Sequence, residues 1–200
     1  MARPLSFDRD HAVDAAMRTF WRNGLHATSA EDLCRATGLG RGSLYNTFGG
    51  KDALFVECLG SYLDKTRARG ENILGDSERD VLERISVLLN GMVTEEVQRQ
   101  RDDAPLGCLG VNTIAELSND PDHADAVRMI NEDTAARLRL LAEVLRLGQA
   151  AGEITDEVSA EGLAAFVNAA IAGLRISSQR GASSRGLKDI VASTIRALAP

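Results

Sequence analysis

Apolar positions recur three and four residues apart along most of the chain, which is the period of amphipathic helices. Ser6 is placed to cap a first helix in which Val13, Ala16, Met17, Phe20 and Trp21 share one face. Gly24 supplies a left-handed stop, behind which Leu25 folds back. In "ATSAEDLCRATG", Thr28 followed three residues later by Glu31 predicts a capping box, with Leu33, Ala36 and Thr37 as a short buried face. Gly38 ends that second helix. "RGSLYNTF" restarts, with Leu44 and Phe48 four apart and facing inward. The stretch Thr37–Phe55 holds five glycines, and residues that weaken a helix interior at that density act as breaks between short helices. A short helix, a glycine-containing turn and a second short helix make up a helix-turn-helix.

The pattern continues to the C-terminus. Leu54, Phe55, Cys58, Leu59, Tyr62 and Leu63 mark a fourth helix with Gly60 inside it, and Val81 to Gln100 a fifth, with Ile85, Leu88, Leu89, Met92 and Val93 on its apolar side. "PLGCLGVNTIAELSN" reads as a short sixth. Pro121 opens a long seventh through Val127, Ile130, Leu138, Leu141 and Leu145, stopped by Gly152. An eighth runs from about Ser159 to Arg180 and is apolar almost all round, as expected of a helix covered on more than one side. The ninth carries one stripe, Leu187, Ile190, Val191, Thr194, Ile195 and Leu198. The predicted fold is all-α, about nine helices: a three-helix head over residues 1–52 and a helical body over residues 53–200.

Composition agrees, with sparse aromatics and abundant alanine, leucine, glycine and arginine. No stretch reaches the roughly 20 apolar residues of a membrane span; "GLAAFVNAAIAGL" is too short and holds Asn168. No signal-peptide core follows Met1, so the expected address is the cytoplasm. Cys34, Cys58 and Cys108 lie far apart, without the spacing of a disulfide framework or a zinc site. His11, His26 and His123 form no ligand motif; Asp120 and His123 have helical metal spacing, but no second pair accompanies them, and no metal or cofactor is expected. Neither a nucleophile elbow, a Walker loop nor a Rossmann fingerprint is present, which argues against an enzyme.

Charge changes the picture more. The net charge is −6, yet residues 1–51 hold seven basic and five acidic side chains, a net +2 that leaves −8 for the rest. A mildly basic head on an acidic body is the asymmetry expected when the head alone touches phosphate. With Leu44 and Phe48 inward, Arg41, Gly42, Ser43, Tyr45, Asn46 and Thr47 face solvent or a partner. Arg41 has the reach for a guanine edge and Asn46 for an adenine. Gly42 permits close backbone approach, and the hydroxyls of Ser43 and Tyr45 suit phosphate. A solvated helix face accounts for the same residues. Lys51 follows Gly49–Gly50 at a helix start, where a cation opposes the helix dipole. A phosphate held between the lysine and the free amides would offset that cost.

The segment "SFDRDHAVDAAMRTFWRNGLHATSAEDLCRATGLGRGSLYNTFGGKDALF" resembles the DNA-binding domain of the TetR family of transcriptional regulators. The resemblance is carried by the aromatic-rich first helix, the Thr-Ser opening of helix two, the glycine turn, the Leu-Tyr-x-x-Phe of the recognition helix and the Lys-x-x-Leu-Phe start of helix four. It implies that Thr28, Arg41, Gly42, Ser43, Tyr45, Asn46, Thr47 and Lys51 contact double-stranded operator DNA; Asn46 stands where many members carry an aromatic. It also implies a homodimer built on the last two helices, with Ala165, Ala169, Ala172, Ile176, Ile190 and Thr194 at the interface, and a small-molecule effector in the body that releases a repressor from a palindromic operator. An ordinary intrachain core is the other account of the excess apolar surface.

Within the body, Leu88, Met92, Cys108, Asn112, Phe166 and Asn168 are the residues expected to line an effector pocket. Cys108, beside Gly107 at a helix start, reads either as a redox- or electrophile-sensing thiol or as an inert packed one. Asn112 and Asn168 either orient a ligand or satisfy backbone groups. Two other functions fit the same pattern: a DNA-binding accessory factor without an effector, and a cofactor-free helical enzyme.

Overall fold

The chain is described by a computed structural model over residues 8–200. Among those residues nine α-helices follow one another: α1 Arg9–Asn23, α2 Ala30–Thr37, α3 Arg41–Phe48, α4 Lys51–Leu74, α5 Val81–Arg101, α6 Leu109–Leu117, α7 Ala124–Ala151, α8 Ala160–Gln179 and α9 Ser184–Leu198. A single 3₁₀ turn, Pro121–His123, precedes α7, so Pro121 opens this turn and not the long helix itself.

Local chemistry sets the helix ends. Ser6 lies outside the described residues; the cap of α1 is Asp8, whose carboxylate accepts the amides of Asp10 and His11. The α2 capping box is shifted by one residue from the predicted register. Ser29 and Asp32 exchange the two bonds, and Thr28 and Glu31 do not. Ala36 is exposed, leaving Leu33 as the buried residue of α2. Gly24 has a positive φ of 81° but an extended ψ of 173°, a conformation open to glycine and hardly to other residues.

Two apolar cores form. The first gathers α1, Leu33 of α2, Leu44 and Phe48 of α3 and the first half of α4, and it also takes in Leu109 and Leu117 of α6 and Ala126 and Ile130 of α7. The second joins α5, the C-terminal half of α7, α8 and α9, closed off by Leu74 and Ile154. The head is thus packed onto α4, α6 and α7 through shared apolar burial, not hung on a linker. The outer side of α8 is uncovered in the single chain: Phe166 is 42% and Ile176 44% exposed, and Ala165, Ala169 and Gly173 beside them are exposed too. No described helix is long and apolar enough to cross a membrane.

Candidate nucleic-acid interface and internal cavity

The short helix α3 is held from below. Leu44 is fully buried, Phe48 nearly so, and the Arg9 guanidinium sits 4.7 Å from the centre of the Phe48 ring while bonding Glu57 of α4 at 2.8 Å. Fixing those two residues turns Arg41, Gly42, Ser43, Tyr45 and Asn46 outward, all exposed, with Thr47 half-buried at the edge. The Arg41 guanidinium lies 5.9 Å from the centre of the Tyr45 ring, so the two present a joint cationic and hydroxylic tip. The first amides of α3 have no side-chain cap, because its N-cap is Gly40, and uncapped N-terminal amides remain available to an anion. The start of α4 behind Gly50 is likewise uncapped.

Two of the predicted contact residues are already engaged. Thr28 is buried, and its hydroxyl donates to the Gly24 carbonyl at 2.6 Å. The Lys51 ammonium donates to the Leu25 carbonyl at 3.1 Å, so the lysine braces the α1–α2 loop and has only its remaining N–H donors for another partner.

A cavity of about 330 Å³ lies in the body between α4, α5, α6, α7 and α8. Its wall is mainly apolar, with Leu88, Met92, Ile114, Ile130 and Ile171 among the lining residues. A few polar groups converge on it: Thr66, Asp133, Thr134, Arg137, Asn168 and Arg175. Asn168 Oδ1 accepts from Arg137 Nε at 3.1 Å, and Arg137 approaches Asp133 at 3.8 Å. Burial pushes the Asp133 carboxyl above its ordinary value, and the nearby Arg137 only partly opposes this. Arg175 is buried against Glu96, whose other oxygen accepts the Gly107 amide at 3.0 Å just before α6. The Tyr62 hydroxyl donates to Cys108 Sγ at 3.3 Å, and burial raises the pKa of that phenol.

The cavity wall and the head are in direct contact. Tyr62 packs edge-on against Trp21 of α1, with ring centroids 4.9 Å apart, and the Trp21 indole donates to the Leu106 carbonyl at 3.1 Å. From α6, Glu116 accepts the amides of Leu25 at 3.0 Å and His26 at 2.8 Å. The α1–α2 loop is therefore bonded to the helix that forms one side of the cavity.

Residues 12–58 match the sequence family described as bacterial regulatory proteins, tetR family, and residues 82–193 match the tetracyclin repressor-like C-terminal domain. The HTH-type transcriptional repressor ComR of Escherichia coli (strain K12) is 36% identical over 194 residues, 97% of this chain and 90% of that protein. The chain belongs to the tetR family. An uncharacterized HTH-type regulator of Bacillus subtilis (strain 168), YezE, is 29% identical over 62% of each chain. Among solved structures, a cysteine mutant of the TetR family regulator CifR, complexed with 26bp double-strand operator DNA, superimposes with a TM-score of 0.83 at 29% identity, over 98% of this chain and 100% of that one. A TetR regulator from Chloroflexus aurantiacus shares the fold, with a TM-score of 0.80 at 23% identity over 94% of this chain and 92% of that one.

As a tetR-family member, the protein is a DNA-binding transcriptional regulator. The α3 side chains that the sequence pattern turns outward are exposed, with Thr47 half-buried. The body is less faithful to that pattern. Leu88, Met92, Cys108 and Asn168 line the cavity. Asn112 does not; its side-chain oxygen accepts from Gln179 at 2.8 Å. Phe166 does not either, and belongs to the exposed stripe of α8. Conversely, Ala172 lines the cavity, and Thr194, with its hydroxyl on the Ile190 carbonyl, is buried in an open groove that Phe166 and Ile190 also line. Ala165, Ala169 and Ile176 are exposed on α8, and Ile190 on α9 is half-buried.

Sequence reasoning missed Asp133, Arg137 and Arg175, whose one available signal is a charge set within an apolar helix face. It also missed a cluster at the head–body junction. His26, from the α1–α2 loop, meets Asp120 and His123 from the turn before α7, and their potential ligand atoms lie within 4.8 Å of one another.

Proposed function

We propose that the protein is a ligand-responsive repressor that binds a palindromic operator as a homodimer and is released by a small molecule in the body cavity. The α3 face supports the DNA half of this reading: Arg41 and Asn46 reach base edges, Ser43, Tyr45, Thr47 and Lys51 hold phosphates, and Gly42 lets the backbone approach. Thr28 contributes from below by fixing the loop that carries α2. The head is residues 1–52 and the body residues 53–200. On this reading the protein is a regulator and not an enzyme, in keeping with a cavity in which Arg137 is bonded to Asn168. The protein acts in the cytoplasm.

The observation that carries the ligand half is the bond from α6 to the head. A cavity lined mainly by apolar side chains, with Asp133, Asn168 and Arg175 at intervals, suits an amphipathic organic molecule that reaches past Leu88, Met92 and Cys108. Seating it displaces α6 or α4, and the head follows through Glu116 and through the Tyr62–Trp21 contact. The ligand acts only if it favours the conformation that does not fit DNA, with a typical coupling of about 1–3 kcal/mol. Dimerisation buries the exposed stripe of Ala165, Phe166, Ala169, Gly173 and Ile176, flanked by Ile190. Selection from a pool of randomised duplexes tests the reading. The wild-type chain enriches an inverted repeat, and Arg41→Ala loses discrimination at one base pair in each half. Enrichment of nothing, or of a motif without a repeat, contradicts it.

A further inference from the structure

We propose that the junction of head and body is a binding site for a divalent first-row transition-metal ion, held by His26, Asp120 and His123 with Asp52 beside them. His26 Nε2 lies 3.2 Å from Asp120 Oδ2, and His123 Nδ1 lies 2.8 Å from the same oxygen. The other nitrogen of His123 is 3.8 Å from Asp52 Oδ1. The two imidazoles stand edge to face, with centroids 5.6 Å apart. A tetrahedral ion with bonds of about 2.0–2.1 Å spaces its ligand atoms about 3.3 Å apart, which the separations to Asp120 already approach.

The remaining chemistry fits such an ion. Asp120 uses Oδ1 to cap the turn through the Asp122 amide, which fixes the carboxylate and points Oδ2 at both rings. Among the described residues, the ion-pair partners of Asp52 and Asp120 are these histidines alone; no lysine or arginine neutralises them. Asp120 and the two imidazoles form the donor set, and Asp52, 3.8 Å from the far nitrogen of His123, stands where a carboxylate orients a ligating imidazole and adds negative charge that a dication balances. Imidazole with carboxylate suits zinc, nickel and their neighbours, whereas magnesium and calcium take oxygen ligands. His123 and Asp120 are mostly shielded from solvent, and His26 forms the open edge, leaving room for a water as a further ligand.

The placement gives the site a consequence. His26 rides on the loop that Glu116 and Lys51 also hold, Asp52 stands in the first turn of α4, and Asp120 and His123 belong to the body. An ion there ties the head to the body in the arrangement seen here and stabilises it by mass action. This inference concerns binding and does not depend on DNA or on the cavity ligand.

Isothermal titration of the metal-free full-length chain with Zn²⁺ tests it, with Mg²⁺ as the hard-cation control. The expected result is one saturable Zn²⁺ per chain, no response to Mg²⁺, and a raised melting temperature with Zn²⁺. His26→Gln and His123→Gln should each weaken binding at least roughly tenfold, while His11→Gln, on the exposed side of α1, leaves it unchanged. Asp120→Asn provides a third variant if either histidine variant loses its helical circular dichroism. The Co²⁺-loaded protein should show d–d bands without a thiolate charge-transfer band, which separates this site from one built on Cys34 or Cys108. Absence of saturable binding, equal affinity in the folded histidine variants, a thiolate band, or an equal response to Mg²⁺ overturns the proposal.

Discussion

Glu116 Oε1 accepts the amide N–H of His26 at 2.8 Å, a bond between a helix that lines the cavity and a loop of the head. Its second oxygen takes the Leu25 amide, and the carboxylate lies so close to Gly24 that a Cβ there would stand 2.7 Å from it. Leu25 is buried, so removing the acceptor leaves its amide without a partner. Glu116→Ala should cost about 1–3 kcal/mol in urea unfolding, and an effector should then shift operator affinity less than it does in wild type. Unchanged stability together with an unchanged effector response would show that the bond transmits nothing.

The contacts proposed for the face of α3 carry different signatures. Tyr45→Phe and Lys51→Ala should weaken binding to all duplexes about equally, and Lys51→Ala should reduce the slope of log affinity against log salt by about one. Arg41→Ala should instead cost roughly 1–3 kcal/mol at one base pair per half-site. Because Lys51 also holds the Leu25 carbonyl, its variant should melt lower than Tyr45→Phe. Filter binding across operator variants and salt concentrations checks the set; a Lys51→Ala slope equal to wild type assigns that lysine to bracing the loop alone.

Glu96 is fully buried, bonded to Arg175 and to the Gly107 amide, with Arg99 at 3.4 Å. Deleting one member of a buried charge pair strands the other, at a cost of about 3–5 kcal/mol. Glu96→Ala should therefore lower the denaturation midpoint sharply, and the double variant with Arg175→Ala should cost less than the two single variants added together. Simple additivity in the cycle contradicts the pairing.

Asp133 gives a pH test. Burial raises its pKa in the folded chain. The protonated form is therefore the one that favours folding, and its contribution is present at acid pH and lost as pH rises through the folded value. Asp133→Asn keeps a neutral side chain of the same shape, so it should melt higher than wild type at neutral pH, with the difference closing as pH falls into the carboxylate range. A lower melting temperature for Asp133→Asn at neutral pH would mean that the Arg137 contact outweighs desolvation.

The head was largely legible because its signals are local. Leu44 and Phe48 stand four apart between glycines, and a spacing of four on a short helix leaves a single choice of inner face. The α2 cap was misread by one residue because both Thr28–Glu31 and Ser29–Asp32 satisfy the same four-residue pattern, and only the loop's packing, which buries Thr28, selects between them. In α8 the difficulty is symmetry. A helix apolar all round does not reveal which side meets the cavity: Phe166, expected in its wall, is exposed, and Ala172, expected outside, lines it. The junction cluster was out of reach for another reason: His26 stands far along the chain from Asp120 and His123, and only tertiary packing brings them together.

The account rests most heavily on two protomers reading two half-sites, and the stoichiometry and affinity of the complex test this directly. A duplex carrying the selected inverted repeat is titrated with wild type and with Ala169→Arg, and the mass of each complex is read by sedimentation equilibrium. Ala169 sits on the exposed stripe between Phe166 and Gly173, where a partner helix packed as proposed would leave no room for an arginine. The predicted result is two wild-type protomers per duplex, with Ala169→Arg monomeric in solution and bound at least roughly a hundredfold more weakly. A duplex saturated by one wild-type protomer, or an Ala169→Arg chain that stays dimeric with full affinity, would contradict the account.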